Sequence, residues 1–208
     1  MSEGQSTESS DQLKAEGLSC VRGDRILFRN LDFTLTPGQA GLLTGPNGVG
    51  KSSLLRLLAG LLPPSTGSCT TPETRALCDD KLALDDHLSL EDTLRFWAKL
   101  DGKGQTDIDA AMARAGLKHL AEVPVRYFST GQRQRARLAR TYLADARLWL
   151  LDEPANGLDA DSVMQLGTAL QGHLDGGGII VATSHIPLPI AFDFTLKLAP
   201  LEELETCS

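Results

Sequence analysis

The most informative part of the sequence is the stretch Gly45-Pro46-Asn47-Gly48-Val49-Gly50-Lys51-Ser52. It fits the pattern G-x-x-x-x-G-K-[ST] at every fixed position. A short apolar run, Ala40–Thr44, precedes it, and the leucine-rich run Ser52–Leu62 follows with the spacing of a helix that has a broad buried face. A glycine-rich loop between a strand and a helix can bind phosphate, because its backbone N–H groups and the positive helix end point at the anion. The stretch therefore predicts a site for a nucleotide with its phosphates.

The last residues of this loop have distinct expected roles. Lys51 should reach the β- and γ-phosphates of ATP, and the Ser52 hydroxyl should bind Mg²⁺. The residues expected to bind nucleotide in this stretch are Gly45, Pro46, Asn47, Gly48, Val49, Gly50, Lys51, Ser52 and Ser53.

A second candidate element is an apolar strand that ends in two carboxylates. Ala146–Leu151 leads directly into Asp152 and Glu153. Asp152 at the strand tip is placed to hold Mg²⁺ through water, and Glu153 could polarise an attacking water as the catalytic base. Many strands end in acidic residues, so this interpretation depends on the pairing with the phosphate loop.

The rest of the chain alternates short apolar runs with helical patterns, which favours an α/β fold with a mostly parallel core sheet. Ile179–Thr183 is another apolar strand, and the near-alternation in Arg25–Leu35 suits a small antiparallel sheet. Leu90–Leu100 and Ile108–Leu120 read as amphipathic helices of a helical insertion, spanning about residues 85–145.

Composition sets the domain count and excludes several classes of protein. The chain has 208 residues, of which 41% are hydrophobic and 23% charged, and its net charge is −7. The length and composition indicate one globular domain, 13–208, after a polar disordered tail, 1–12. The negative net charge makes nucleic acid an unfavourable binding partner. No apolar run approaches the ~20 residues of a membrane-spanning helix, so we expect membrane association to require a partner.

Three further motifs follow the phosphate loop in order. Phe128-Ser129-Thr130-Gly131-Gln132 resembles the L-S-G-G-Q signature of ABC-transporter ATPases, Ala155–Asp159 resembles their D-loop, and His185 resembles their switch histidine. Together with the phosphate loop and the Asp152-Glu153 strand end, the resemblance covers Leu18–Leu198. It implies the phosphate-loop ABC ATPase fold.

The resemblance also implies a mechanism in which two copies face each other head to tail around two ATP molecules. Ser129, Gly131 and Gln132 of one copy would grip the γ-phosphate held by the other copy. Asp159 would support the facing loop, and His185 would contact the γ-phosphate as a catalytic residue. In isolation, a Ser-x-Gly-Gln stretch is usually a helix N-cap and a histidine after a strand is usually structural, so these alternatives stay open.

Three positions depart from the family pattern. Thr130 replaces the first signature glycine, and Asp80 falls where the Q-loop glutamine is usual. A carboxylate at that position can bind Mg²⁺ but cannot donate as an amide does. Arg22 stands where an aromatic residue usually stacks on adenine, and a guanidinium plane can also stack on a base.

Several segments are more specifically similar to the ATPase subunits of bacterial haem exporters used in cytochrome c maturation. These segments are Arg22-Gly23, Leu54–Pro63, Leu94–Ala98, Gly131–Arg135 and Leu148–Pro154. That similarity implies integral membrane subunits as partners, pairing of two identical copies, and a peripheral place on the cytoplasmic face of the inner membrane. ATP hydrolysis would then drive haem export or release of a haem-carrying chaperone.

Alternative interpretations remain at this stage. The chain could drive export of another substrate, act as a soluble ATP-driven switch, or be a non-catalytic ATP-gated binding module. Phe96 and Trp97 could dock a membrane partner or fill the helical core. The arginines of one basic stretch could attract phosphate or form a solvated helix face; they are Arg126, Arg133, Arg135, Arg137, Arg140 and Arg147.

Overall fold

The computed structural model describes residues 11–80 and 84–200. Its strands are β1 (Leu13–Arg22), β2 (Arg25–Leu35), β3 (Ala40–Thr44), β4 (Thr66–Thr70), β5 (Arg75–Cys78), β6 (Leu148–Asp152), β7 (Ile179–Thr183) and β8 (Phe194–Lys197). Its α-helices are α1 (Lys51–Leu58), α2 (Leu90–Leu100), α3 (Gln105–Arg114), α4 (Thr130–Ala144) and α5 (Ala160–Asp175).

The core sheet has five strands in the order β5-β6-β7-β3-β8, and every neighbouring pair is parallel. Strand β7 is buried along its whole length, and β6 is buried up to Leu151, as expected of parallel strands with both faces covered. Because parallel strands share an edge at their carboxyl ends, the loops after β3, β6 and β7 converge there. This convergence brings the predicted site residues together.

A second sheet of three antiparallel strands, in the order β2-β1-β4, packs beside the phosphate loop. Apolar side chains alternate along β2, so that Phe33 and Leu35 enter the core. A Cβ atom at Gly50 would lie 3.0 Å from Leu27 Cβ and 3.3 Å from Phe28 Cδ1. Because Gly50 has no side chain, β2 packs directly against the loop. Both predicted sheets, the mostly parallel one and the small antiparallel one, are confirmed.

The segment between the two halves of the core sheet is helical, as predicted. Helix α2 buries Leu90, Leu94 and Ala98, which are spaced four residues apart and so lie on one face. These residues pack with Ile108 of α3 and with the apolar face of α4. Ser89 caps α2 by accepting a hydrogen bond from the Asp92 N–H, which explains why the helix begins where it does.

The predicted bounds of two helices were wrong. Helix α1 ends at Leu58 rather than Leu62, because Gly60 adopts φ 78° and turns the chain, leaving Leu61 68% exposed. Helix α3 spans Gln105–Arg114 rather than Ile108–Leu120, because Gly116 at φ 66° ends it before a short 3₁₀ turn. In both cases apolar spacing continued past a glycine.

The predicted boundaries of the molecule are only partly covered by the described residues. The predicted tail falls largely on residues 1–10, which lie outside them, as do 201–208 at the other end. A single ATPase domain over 13–208, with its helical subdomain at about 85–145, stays a prediction. Within residues 11–80 and 84–200, no helix combines the length and apolar character that a membrane crossing requires.

Candidate nucleotide site

The loop between β3 and α1 surrounds the buried lysine that begins the helix. Lys51 Nζ donates hydrogen bonds to the carbonyl oxygens of Gly45, at 2.7 Å, and Pro46, at 3.2 Å. A Cβ atom at Gly45 would lie 2.3 Å from Leu198 O, so only glycine fits there beside the end of β8. The loop therefore holds a positive charge at the amino end of α1.

A cavity of about 470 Å³ opens onto this loop. Its lining residues are Leu27, Asn47, Gly48, Gly50, Lys51, Ser52, Ser53, Asp80, Asp152, Glu153, Asn156 and His185. Residues from the ends of four core strands thus meet in one place. Two of these lining residues, Leu27 and Asn156, were not predicted from the sequence. Leu27 lies in a strand that carries no motif. Asn156 lies inside the stretch that resembles a D-loop, and that position could have indicated it.

The two carboxylates at the end of β6 are held by the neighbouring strand. The Glu153 N–H donates to Thr183 Oγ1 at 2.9 Å, and the Thr183 hydroxyl donates to Asp152 Oδ1 at 2.7 Å. Glu153 adopts φ 50°, a left-handed conformation that a non-glycine residue holds only under surrounding constraint. This turn aims the Glu153 side chain into the cavity while Asp152 stays at the strand tip.

His185 lies between the phosphate loop and Glu153. Its backbone N–H donates to Glu153 Oε2 at 3.0 Å. Its ring Nε2 lies 3.1 Å from Asn47 Oδ1 and 3.4 Å from Glu153 Oε1. The His185 side chain thus connects the phosphate loop with the Glu153 turn, and it remains 56% exposed to solvent.

The predicted signature residues lie at the start of α4. The Ser129 hydroxyl accepts from the Gln132 N–H at 3.2 Å, and the Gln132 side chain accepts from the Ser129 N–H at 2.9 Å. This reciprocal capping box shows that Ser129 is a helix N-cap. A Cβ atom at Gly131 would lie 2.8 Å from Gly157 O, so the D-loop packs directly on the signature turn.

Eight predicted binding residues do not line the cavity of their own chain. Gly45, Pro46 and Val49 belong to the phosphate loop itself, and the other five lie outside that loop: Ser129, Gly131, Gln132, Asp159 and Arg22. Asp159 caps α5 by accepting from the Ser162 N–H at 2.8 Å, and its hydrogen bonds with Ser162 lower its pKa. Arg22 is exposed at the end of β1. The remaining predicted site residues come together around the phosphate loop.

The sequence profile of the ABC transporter family matches residues 28–156. The chain belongs to the ABC transporter family. It is 51% identical, over 90% of its length and 84% of the relative, to the cytochrome c biogenesis ATP-binding export protein CcmA of Zymomonas mobilis. It is 49% identical to the protein of that name from Novosphingobium aromaticivorans, over 89% of this chain and 95% of the relative.

Solved structures show the same fold. An ABC transporter ATP-binding protein from Pyrococcus furiosus superposes with a TM-score of 0.77 at 25% identity, over 90% of this chain and 97% of that one. A bacterial Atm1-family exporter superposes with a TM-score of 0.80 at 18% identity, over 92% of this chain and 38% of that one, which shows the fold alone. The predicted fold, the ATP-binding function and the ATPase activity are confirmed.

The basic stretch of this ABC ATPase makes contacts within the chain. Arg133 Nη1 pairs with Asp86, Arg137 Nη2 donates to Asp80 O at 3.3 Å, and Arg140 pairs with Asp101. Arg140 also lies 4.5 Å from the Trp97 ring centroid. Neither sequence interpretation of the arginines anticipated this: several of them hold the helical region together.

The helical region carries an apolar cavity of about 340 Å³. Its lining residues are Leu84, Asp85, Leu88, Thr93, Phe96 and Trp97. Phe96 is 56% exposed, whereas Trp97 packs against the helical cluster. Trp97 therefore joins the helical core, as one of the two alternatives held, whereas Phe96 stays on the surface.

Proposed function

We propose that this ABC ATPase is the peripheral motor subunit of a haem-handling exporter in bacterial cytochrome c biogenesis. The observation that carries the proposal is the identity of 49–51% to relatives named for that process, spread over most of each chain. The phosphate loop matches its motif at every fixed position, and Glu153 lies in the same cavity. Together they would supply the ATP hydrolysis that such a subunit needs.

In the proposed reaction, the groups around the phosphate loop hold ATP and activate water. Lys51 and the loop N–H groups bind the phosphates. Ser52, Asp152 and Asp80 offer the hydroxyl and carboxylate oxygens that Mg²⁺ prefers, and they share one cavity. Bound there, Mg²⁺ would neutralise charge on the β- and γ-phosphates. Glu153 takes a proton from the attacking water. The water oxygen bonds to the γ-phosphorus, and the bond between that phosphorus and the oxygen that leaves with ADP breaks.

We also propose that the active form is a head-to-tail pair of identical chains. The signature residues and Asp159 lie outside the cavity of their own chain, while one chain carries one complete motif set. The amino end of α4, with Ser129, Gly131 and Gln132, then meets the γ-phosphate of the partner copy as an anion site. His185 and Arg22 would complete the site, by contact with the γ-phosphate and by stacking on adenine.

The membrane partner is proposed to dock on the helical region. The apolar cavity beside the exposed Phe96 suits a short helix from an integral membrane subunit. Such docking places the chain on the cytoplasmic face of the inner membrane. The net charge of −7 argues against nucleic acid as a partner.

The test is affinity purification of the tagged chain from gently solubilised membranes in ATP, with mass spectrometry of its partners. We expect integral membrane proteins that handle haem, and fewer of them with Phe96→Asp. Leu61→Asp, at a residue 68% exposed outside the helical region, is the matched control.

Other outcomes would redirect the proposal. Recovery of an unrelated permease would retain the motor and overturn the haem assignment. Recovery of no membrane partner, with the chain in the soluble fraction, would favour the soluble switch. ATPase activity stimulated by DNA or RNA and weakened by salt would favour a nucleic-acid partner.

A further inference from the structure

The turn that carries Glu153 is held from two sides. On its amino side the Thr183 hydroxyl accepts the Glu153 N–H. On its carboxyl side the Gln134 side-chain amide donates to Pro154 O at 3.1 Å and to Glu153 O at 3.5 Å. Gln134 is a polar residue only 5% exposed, and its side chain forms hydrogen bonds with this turn and with one neighbour on α4. The left-handed conformation of Glu153 thus depends on α4 as well as on β7.

That neighbour is Arg137, one helical turn further along α4. Arg137 Nη1 donates to Gln134 Oε1 at 3.1 Å. This bond fixes the orientation of the Gln134 amide, so that its NH₂ group points at the two carbonyl oxygens. Because the guanidinium group is a rigid planar fork, its position also fixes where the second nitrogen points.

The second nitrogen of Arg137 reaches the segment that bears Asp80. Arg137 Nη2 donates to Asp80 O at 3.3 Å. Asp80 lines the cavity, and the residue before it, Asp79, is held by Arg56 of α1 at 2.7 Å. One side chain therefore connects the segment that bears Asp80 with the turn that bears Glu153.

We propose that Arg137 is a positioning residue for ATP hydrolysis, which acts through Gln134 to hold the Glu153 turn in register with the Asp80 segment. The proposal rests on the proposed role of Glu153 as the base. Arg137 lines no part of the cavity, and the groups that bind phosphate, Lys51 above all, do not touch it. Its loss should therefore alter turnover and leave ATP binding intact.

The first test is Arg137→Met, with Arg147→Met as the matched control. Arg147 lies at the opposite edge of the core sheet, where it also donates to one carbonyl oxygen, that of Gly176, at 3.3 Å. We expect Arg137→Met to lower kcat by about tenfold to a hundredfold, as small misplacements of a catalytic base do. The dissociation constant for ATP should stay at the wild-type value, and Arg147→Met should change neither quantity.

The second test combines the change with Glu153→Gln. If Arg137 acts through Glu153, Arg137→Met should cause no further loss of turnover in the Glu153→Gln background. Equal fold losses in both backgrounds, or unchanged kcat in Arg137→Met alone, would overturn the inference and leave Glu153 as the base. Wild-type turnover in Glu153→Gln would instead overturn the role of Glu153, and the inference would fall with it.

Arg137→Lys covers the case in which the methionine variant does not fold. Lysine keeps the charge but cannot span Gln134 Oε1 and Asp80 O together, so we expect an intermediate kcat with unchanged ATP affinity. If thermal unfolding shifts while kcat stays at the wild-type value, Arg137 is only structural and the inference is wrong.

Discussion

At the scale of single residues, His173 shows how local packing sets a charge state. Its ring stacks on Trp149, with centroids 3.9 Å apart and planes 7° from parallel. Burial lowers the His173 pKa from 6.5 to about 4, chiefly by disfavouring the charged ring. A Cβ atom at Gly178 would lie 2.2 Å from His173 Nε2, so glycine there makes room for the stack. No sequence pattern singled out His173, because the stack joins distant parts of the chain.

This pKa predicts a specific loss of stability in acid. In the unfolded chain His173 binds a proton below pH 6.5, whereas in the folded chain it stays neutral down to about pH 4. The contribution of His173 to stability is therefore constant above pH 6.5 and is lost as the pH falls from 6.5 to about 4. Below pH 4 this contribution changes no further.

Urea unfolding of the wild type and of His173→Gln at several pH values measures the effect. We expect the slope of the unfolding free energy against pH to flatten in His173→Gln. His119→Gln, at an exposed histidine, should keep the wild-type slope. An unchanged slope in His173→Gln would show that another group causes the acid sensitivity.

At the scale of elements, the predicted bounds match the structure where a polar or capping residue flanks the apolar pattern. The strands Ala40–Thr44 and Ile179–Thr183 and the helix Leu90–Leu100 have the predicted bounds. The predicted strand Ala146–Leu151 is shifted, since β6 spans Leu148–Asp152. The ends of α1 and α3 were misplaced, since apolar spacing alone does not reveal that a glycine has turned the backbone. The contact of Arg137 with Asp80 could not be predicted, because it joins residues far apart in sequence.

Helix α4 carries a prediction that separates the two roles of Ser129. As an N-cap, Ser129 can be replaced by glycine at a cost of a few tenths of a kcal/mol, whereas alanine costs about 1 kcal/mol. Contact with phosphate needs the hydroxyl, which both variants lack. We therefore expect Ser129→Gly and Ser129→Ala to lose ATPase activity alike while differing in unfolding free energy. Activity that instead follows stability, with Ser129→Gly near wild type, would mean that Ser129 is only a cap.

At the scale of the whole molecule, parallel topology explains how much of the site was predictable. Motifs that follow β3, β6 and β7 must meet at one edge of the sheet, so the phosphate loop, Glu153 and His185 were placed together from sequence. The signature and Asp159 lie elsewhere on the same chain. In the proposed pair a second copy would bring them to the cavity, and the fold of one chain does not determine that arrangement.

Mixing two inactive variants tests that pairing. Lys51→Ala disables the phosphate loop of one copy, and Ser129→Ala disables the signature of the other. A head-to-tail mixed pair then contains one intact site, built from the unaltered halves, and one site with both defects. We expect ATPase activity to reappear on mixing, measured as phosphate release. If each site were built within a single chain, the mixture would show only the sum of the separate activities.

The contact between Gly131 and Gly157 sets a limit for anyone who re-engineers this protein. Two backbones meet there without any side chain between them, and a methyl group on Gly131 would sit 2.8 Å from the opposite carbonyl oxygen. Even alanine at Gly131 would force the two backbones apart. Variants changed at Gly131 or Gly157 should therefore be rare among the active members of a mutational library, although neither residue lines the cavity. Two residues without functional groups would then rank among the least replaceable in the chain.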